Sequence, residues 1–351
     1  MDRTHAGKGL EGPPRAGPAE KRGEASRPQS GPGEEGAFFP VSLAVMQPGT
    51  LAPVDLFIRE RSTGEYVLYK AAHTNLSEET RHRLLARGVA WLHLRRKDED
   101  AYFSYVEDNI AQIVTDELLP RDEACRLVYR TSNRVVSDVF DDPRSGRNLK
   151  RAEKMVSATV QAIIREPDAL WYMTSMATHD YYTYTHSVNA CIFLVAASRD
   201  MFGVSEPKRL EEIGLGGVLH DIGKSQIPSE VLSKPGGLTE AEWEQMKRHP
   251  VLGLNIVTSF RALPAGAACI IRSHHERLDG TGYPDGMGSE RLPWLVRLAG
   301  IVDTYDAMTT ERAYAPARRP YEALSVMMEQ TEGKLDQDML RSFVRFLGPD
   351  G

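Results

Sequence analysis

The chain has 351 residues, which is long enough for two domains of ordinary size. Hydrophobic residues make up 41% of it and charged residues 26%, a globular composition that excludes a fibrous or wholly disordered protein. The net charge of −6 argues against broad electrostatic capture of nucleic acid polymers or anionic lipid. An anionic ligand would therefore have to be held by a local site.

The cysteines and the apolar runs indicate the cellular compartment. The three cysteines are isolated and form no C-x-x-C pair, which is typical of a reducing compartment. The sequence contains no run of about 18 apolar residues that would predict a membrane span. Its start lacks the pattern of a secretory signal. We therefore expect a cytoplasmic protein without a membrane span.

The N-terminal part divides into a tail and a small module. Residues 1–37 are predicted to be a disordered tail, because they contain eight Gly and five Pro and no periodic apolar face. Residues 38–97 are predicted to form a small α+β module. Apolar residues alternate at 54–58 and again at 66–69, which predicts a β-hairpin. Ser77 is a predicted helix N-cap, and residues 89–92 form a further predicted strand.

The rest of the chain has a helical period. Residues 98–167 are predicted to be a helical connector of three apolar stripes, which end at Pro120, Pro143 and Pro167. The first of these stripes runs from Tyr102 to Leu118. Residues 168–348 are predicted to be mostly helical as well. The predicted fold class is mainly α, with a small α+β domain in front.

Two local patterns fix helix starts in the C-terminal half. Thr239 and Glu242 match a capping box, in which each side chain satisfies a free backbone N–H at the start of a helix. Pro293 suits the first turn of a helix that runs through Asp303. This second helix carries one of the candidate metal ligands.

Histidines crowd into one part of the chain. Half of the ten histidines lie between residues 186 and 275, and Asp221 and Asp303 lie near them in sequence. Imidazole and carboxylate are ligand types that suit Fe, Mn, Ni or Zn. The cysteines in this part of the chain form no C-x-x-C pair, which argues against a structural zinc or iron–sulfur site. The pattern favours a hard to borderline divalent metal.

The residues around the dipeptide His220-Asp221 make it a stronger signal for a metal site than the pair would be alone. A His-Asp pair alone is weak evidence, since one is expected by chance in a chain of this composition. This pair, however, ends the apolar run 213–219 and is followed by Gly223 and Lys224. Two ligands and a cation would emerge from a buried helix into a tight turn. Lys224 could neutralise a phosphate oxygen, although a lone lysine is more often a solvated side chain.

A glycine-rich segment, HHERLDGTGYPDGMG, begins at His274. Adjacent histidines on a helix point about 100° apart, so both reach one metal only at a helix end. The glycines allow the backbone to approach a ligand closely. Tyr283 offers a face on which a base can stack. An ordinary flexible loop is the alternative interpretation.

Five motifs, in this order and spacing, resemble the HD-GYP domain, a subgroup of the HD metal-dependent phosphohydrolases. They are HSVNA from His186, HDIGK from His220, His249-Pro250, HHERLDGTGYP from His274 and DTYDAMT from Asp303. The resemblance covers residues 168–348, about half the chain. It implies an all-helical catalytic domain that hydrolyses the second messenger cyclic di-GMP to pGpG. Further hydrolysis of pGpG to GMP is left open.

The resemblance also implies a dinuclear metal centre. His186, His220, Asp221 and Asp303 match the ligands of one metal, and His249, His274 and His275 match those of the second. Asp221 would bridge the pair. The implied cofactor is two divalent metal ions, iron in the first place and manganese as the alternative. A hydroxide activated by the metals would be the nucleophile.

Further positions match the substrate contacts of the family. Lys224 matches a phosphate-contacting lysine and, with Asp221, is a predicted catalytic residue. The predicted substrate-binding residues are Lys224, Gly282, Tyr283, Pro284, Asp306 and Arg312.

The chain departs from the family pattern at two places. Tyr182 stands where some members carry a Glu that recruits a third metal, so we expect two metals. Ala315 and Pro316 stand where the family commonly has basic residues. This removes a phosphate contact, for which Arg318 is the nearest replacement.

The sequence leaves three functions open. The leading one is a cyclic di-GMP phosphodiesterase. The second is a catalytically inactive receptor that binds cyclic di-GMP and signals through the N-terminal module, and only Ala315 supports it. The third is a hydrolase of another cyclic dinucleotide. A second copy of the chain and a diguanylate cyclase are the protein partners left open.

Overall fold

The computed structural model describes residues 37–175, 183–260, 262–310 and 317–348. The described chain is mainly helical, with one four-stranded antiparallel sheet near its N-terminus. The predicted fold class is therefore confirmed. None of the described helices has the length and apolar character needed to cross a membrane. Residues 1–36 of the predicted tail lie outside the described residues, and the limits of the four predicted segments stay predictions.

The sheet has the strand order β1-β4-β2-β3. Its strands are β1 (Phe38–Ser42), β2 (Leu56–Arg59), β3 (Tyr66–Lys70) and β4 (Trp91–Arg95). Strands β2 and β3 pair in antiparallel fashion, with Ile58 opposite Val67, so the predicted hairpin is confirmed. The strand predicted at residues 89–92 begins two residues later. The sequence did not reveal β1, an edge strand that contains Pro40.

The helices follow in chain order. They are α1 (Glu78–Ala86), α2 (Glu99–Thr115), α3 (Arg121–Asp141), α4 (Gly146–Arg165), α5 (Ala169–Thr174), α6 (Thr183–Phe202), α7 (Pro207–Leu219), α8 (Ser229–Leu232), α9 (Glu240–Met246), α10 (His249–Thr258), α11 (Ala265–Ser273), α12 (Trp294–Thr309), α13 (Pro320–Gln330) and α14 (Gln337–Leu347). A 3-10 turn, Ile222–Gln226, follows α7.

Several predicted helix signals are confirmed in detail. The Ser77 side chain accepts a hydrogen bond from the N–H of Thr80 at the start of α1. Both halves of the capping box at Thr239 and Glu242 are present at α9. Pro293 is the N-cap of α12 rather than a residue of its first turn. Leu118 lies beyond the end of α2 and is 38% exposed, so its place on the first stripe was wrong.

The helices α6 and α7 form the centre of the C-terminal half. Nearly every described residue of α6 from Thr185 to Ser198 is buried, because α3, α7 and α12 cover it on several sides. Glycines let α7 approach α6 closely: a Cβ at Gly217 would lie 2.8 Å from the Cα of Cys191. This close packing sets His186 on α6 beside His220 at the end of α7.

A buried ion pair ties the N-terminal module to the connector. Arg81 on α1 is 2% exposed and donates to the carboxylate of Asp116 at the end of α2. The same guanidinium donates to the Ala44 carbonyl at 3.2 Å, and Gln47 donates to Asp116 at 3.1 Å. A buried charge of this kind is stable only while its partners remain in place.

We predict that Asp116→Ala lowers the free energy of unfolding by about 1–3 kcal/mol, because it removes the nearest acidic partner of the buried Arg81 guanidinium and leaves it with Glu78, 3.7 Å away. Chemical denaturation measures this change. The matched control is Asp338→Ala, whose partner Arg341 lies on the surface and whose own side chain is 95% exposed. The control should change stability little. Equal, small effects of both substitutions would contradict a structural role for the buried pair.

Candidate metal centre

The seven predicted metal ligands come from five helices or helix ends and meet in one place. His186 lies on α6, His220 and Asp221 follow the end of α7, His249 begins α10, His274 and His275 follow α11, and Asp303 lies on α12. They form two groups, and within each group one ligand atom per residue lies within 4.8 Å of the others. The first group is His186, His220 and Asp303; the second is Asp221, His249, His274 and His275.

Backbone carbonyls orient three of the imidazoles. The Nδ1 atoms of His220, His249 and His274 lie 2.7, 2.8 and 3.0 Å from the carbonyl oxygens of Gly217, Met246 and Ile270. A carbonyl only accepts, so each Nδ1 carries the proton. The other nitrogen, Nε2, then presents a lone pair in the neutral ring. This is the arrangement in which histidine binds a metal.

Burial favours the neutral imidazole at His249, His274 and His275. It lowers the pKa of His249 to about 4, and the pKa of His275 to about 3. Burial together with the neighbouring imidazoles also lowers the pKa of His274 well below its ordinary value. A neutral imidazole is the form that binds a divalent cation.

The lone pairs converge at short range. The Nε2 atoms of His186 and His220 lie 3.2 Å apart, and so do those of His249 and His274. Two acceptor nitrogens at this distance repel each other unless a cation or a proton lies between them. The observed donor set therefore fits a divalent metal in each group.

Asp221 lies between the two groups. Its Oδ1 is 3.3 Å from Nε2 of His249, and its Oδ2 is 3.4 Å from Nε2 of His220. Among the described residues, Oδ1 is buried without a hydrogen-bond partner. Burial alone would raise the pKa of Asp221, but Lys224 and His220 hold it well below the ordinary value. A buried, ionised and unpartnered oxygen fits a cation as its missing partner.

Asp303 also contacts both groups. Its Oδ1 lies 3.1 Å from Nε2 of His186, and its Oδ2 lies 3.5 Å from Nδ1 of His275. Burial would raise its pKa, but the neighbouring imidazoles of His186 and His275 lower it well below the ordinary value. Two carboxylates thus face a cluster of five imidazoles.

Lys224 closes one side of the centre. Its ammonium donates to Oδ2 of Asp221 at 2.5 Å, and its side chain is 21% exposed. The turn that carries it packs tightly, because a Cβ at Gly223 would lie 1.9 Å from the carbonyl oxygen of His249. Only glycine allows this approach between the turn and α10. The contact sets Lys224 beside the carboxylate.

A buried glutamate holds the glycine-rich segment. Glu276 is 4% exposed, and its two oxygens accept hydrogen bonds from the N–H groups of Asp285 at 2.6 Å and Met287 at 2.8 Å. A Cβ at Gly282 would lie 2.4 Å from the Cα of Glu276, so this position requires glycine. The segment is therefore an ordered loop rather than a flexible one.

The loop places Tyr283 beside the metal centre. Its ring centroid is 4.7 Å from that of His275, and Gly282 and Pro284 flank it in sequence. Trp243 on α9 meets the Tyr283 ring edge-on at 6.0 Å and is 45% exposed. The two rings form an aromatic wall next to the candidate ligands.

Asp306 and Arg312 complete the predicted site residues. Asp306 is 2% exposed, and its two oxygens accept hydrogen bonds from His186 and Asn189. It lies behind the imidazole of His186, and its role as a substrate contact stays a prediction. Arg312 lies outside the described residues, as do Tyr182, Ala315 and Pro316.

Sequence reasoning missed Glu276, Trp243 and Asn189. An acidic residue directly after a His pair and before several glycines is a usable signal for Glu276, because such a loop needs acceptors for its free N–H groups. Asn189 lies inside the HSVNA motif, yet its partner Asp306 is 117 residues away. Sequence spacing gives no indication of that contact.

Comparisons with known proteins show which domain and which proteins this chain resembles. Residues 201–339 match the family model of the HD domain. A cyclic di-GMP phosphodiesterase of Pseudomonas aeruginosa is 37% identical over 227 residues, which cover 64% of this chain and 54% of the relative. A 3'3'-cGAMP-specific phosphodiesterase of Vibrio cholerae is 31% identical over 169 residues, 47% of this chain and 35% of the relative. The chain thus spans about half of the first relative and about a third of the second.

A solved structure shares the fold. An HDG"Y"P protein from Bdellovibrio bacteriovorus aligns with a TM-score of 0.61 at 18% identity, over 88% of this chain and 99% of the other. Residues 201–339 are therefore similar to the HD domain, and the described chain shares the fold of this HDG"Y"P protein. The HD-GYP motifs around His220 and His274 lie within this matched range. An HD domain implies divalent metal binding, and the two groups of donors are consistent with it.

We predict that Gly223→Ala destabilises the fold by about 1–3 kcal/mol and lowers metal content, because the added Cβ must push α10 and His249 away from the turn. Denaturation curves and elemental analysis measure the two effects. The matched control is Gly237→Ala, where a Cβ would meet nothing within 4 Å. Normal metal content in the Gly223 variant would contradict the importance of this contact.

Proposed function

We propose that this protein is a metal-dependent phosphodiesterase that hydrolyses cyclic di-GMP to pGpG. The observation that carries the proposal is the pair of donor groups around Asp221, five imidazoles and two carboxylates that fit two divalent cations. The Pseudomonas aeruginosa relative, named for this activity, supports the choice of substrate. GMP is the product if the linear dinucleotide is cleaved again.

The donor atoms suggest how the metals are held. We infer that His186, His220 and Asp303 would hold one metal, that His249, His274 and His275 would hold the other, and that Asp221 would be a ligand shared by both. Iron is the preferred metal and manganese the alternative, since both accept imidazole and carboxylate ligands. Two such metals lower the pKa of a water molecule and stabilise charge on the phosphoryl oxygens during in-line displacement.

The chain's own residues position the substrate. Lys224 supplies an ammonium that is a point charge for a phosphate oxygen at the edge of the centre. Tyr283 supplies a ring face for a guanine base beside His275, one of the candidate metal ligands. Glu276 keeps the loop of Tyr283 in one conformation through its two backbone hydrogen bonds. The substrate is thus held at its phosphate and at a base.

A second substrate has specific support. The Vibrio cholerae relative is named as specific for 3'3'-cGAMP, which differs from cyclic di-GMP in one base. Hydrolysis of the two dinucleotides by iron- or manganese-loaded protein, alone and in competition, separates the two substrates. Binding of cyclic di-GMP without any turnover would instead favour an inactive receptor. A homodimer and a diguanylate cyclase partner stay predictions.

We predict that Asp221→Asn and Asp221→Ala each lower the rate of pGpG formation by at least about 100-fold, since even residues that only support metal ligands contribute 10- to 100-fold. Product formation and bound metal are measured together. The control is His82→Ala, a surface histidine whose side chain is 61% exposed. Near wild-type turnover in either Asp221 variant would remove Asp221 from the centre.

We predict that Tyr283→Ala raises KM for cyclic di-GMP about 5- to 150-fold, the equivalent of one lost base stack, while metal content stays normal. Steady-state kinetics and elemental analysis test this. Tyr283→Phe is the matched control, because it keeps the ring and loses only the hydroxyl. An unchanged KM in the alanine variant would exclude Tyr283 from the substrate pocket.

A further inference from the structure

A chain of buried side chains connects the helical connector to the candidate metal centre. The hydroxyl of Tyr129 on α3 donates to Oδ1 of Asn189 on α6 at 3.1 Å. The amide of Asn189 donates to Oδ1 of Asp306 on α12 at 2.9 Å. Oδ2 of Asp306 lies 2.6 Å from Nδ1 of His186. Three hydrogen bonds thus join three helices and end on a predicted metal ligand.

The hydrogen bonds converge on the Asp306 carboxylate, which accepts from both sides. The carboxylate of Asp306 accepts only, so it takes one bond from Asn189 and one from Nδ1–H of His186. The amide group of Asn189 is then fixed, with its nitrogen toward Asp306 and its oxygen toward Tyr129. The hydroxyl of Tyr129 supplies the donor that this oxygen needs. Replacing any member would change the orientation of the next one.

The three side chains behind His186 are buried, and the Tyr129 hydroxyl keeps its proton. Tyr129 is 4% exposed, Asn189 1% and Asp306 2%. Burial raises the pKa of the Tyr129 phenol, so Tyr129 keeps its proton at neutral pH. Buried, fully paired networks of this kind hold one geometry because every alternative leaves a polar group unsatisfied.

We propose that Tyr129 is a positioning residue for the metal centre: through Asn189 and Asp306 it fixes the ring of His186 with Nδ1 protonated and Nε2 directed at the metal. This inference rests on the proposed metal role of His186. It assigns Asp306 to the support of that ligand. Second partners of ligating histidines orient the ring and raise its basicity.

The position of Tyr129 connects the hydrogen-bonded network to the N-terminal part of the chain. Tyr129 lies outside the matched HD range 201–339, on a helix that packs against α2, α4 and α6. Its neighbour Arg130 lies over the Phe103 ring of α2, 5.1 Å from the ring centroid. Helix α2 in turn ends at Asp116, the partner of Arg81 in the N-terminal module. A shift of α3 would therefore change the hydrogen bonding of His186.

Manganese binding to the full chain tests the proposal without any substrate. Metal-free protein is titrated with Mn²⁺ in competition with a chromophoric chelator, and thermal unfolding is recorded in parallel. We expect Asp306→Asn to weaken manganese binding about 10- to 100-fold. Tyr129→Phe, which loses one hydrogen bond at a greater distance, should weaken it about 2- to 10-fold.

The matched control is Tyr105→Phe. Tyr105 is also buried, and its hydroxyl lies 2.7 Å from the N–H of Gln47 and 2.7 Å from the hydroxyl of Thr50, in the N-terminal module. Both substitutions remove one buried hydroxyl, so both should reduce thermal stability by a similar amount. Only the Tyr129 variant should lose manganese affinity. Equal losses of affinity in both variants would show a general effect of stability and overturn the proposal.

A double variant tests whether Tyr129 acts through Asp306. If it does, adding Tyr129→Phe to Asp306→Asn should weaken manganese binding no further. Additive losses, or unchanged binding in the Tyr129 single variant, would overturn the proposal. A wild-type chain that bound no manganese would overturn it as well. Normal manganese binding without hydrolysis of cyclic di-GMP would contradict the proposed function alone, so the two failures are distinguishable.

Discussion

The repulsion between converging lone pairs and carboxylates is the constraint on which the centre depends. Backbone carbonyls fix the protons of His220, His249 and His274 on Nδ1, so their Nε2 atoms face each other and Asp221 as acceptors. Burial largely excludes water from this cluster. Without a cation, the buried carboxylates and the unpaired acceptor nitrogens therefore make the folded state less stable. Divalent metal relieves the conflict, so folding and metal binding support each other.

Close packing between backbone segments brings the ligand side chains together. The ligands belong to helices α6, α7, α10, α11 and α12, which must all approach one point. Gly217 brings α7 against α6, and Gly223 brings the turn after α7 against α10. At both positions a methyl group would overlap with backbone atoms, which no change of rotamer can relieve. The glycines of this region therefore contribute to metal geometry, although they bind nothing themselves.

The sequence predicted the parts of the site whose evidence is local. The motifs around His220 and His274 can be recognised from a few neighbouring residues. The apolar run before His220 and the glycines after His274 predict the helix ends at these two places. The hydrogen bond between Asn189 and Asp306 depends on how distant helices pack, which no local pattern encodes. For the same reason β1 escaped prediction: Phe38–Ser42 becomes a strand through its pairing with β4.

The location of His186 determines where a fragment that carries all seven predicted ligands can begin. It lies on α6, upstream of the matched HD range that begins at residue 201. A fragment started at that boundary would keep six of the seven predicted ligands, lose the helix that α7 packs against, and expose the apolar groove left behind. Any fusion or exchange that is meant to transfer the centre must therefore carry α6 with it. The segment that carries the predicted ligands is longer than the range that matches the HD family model.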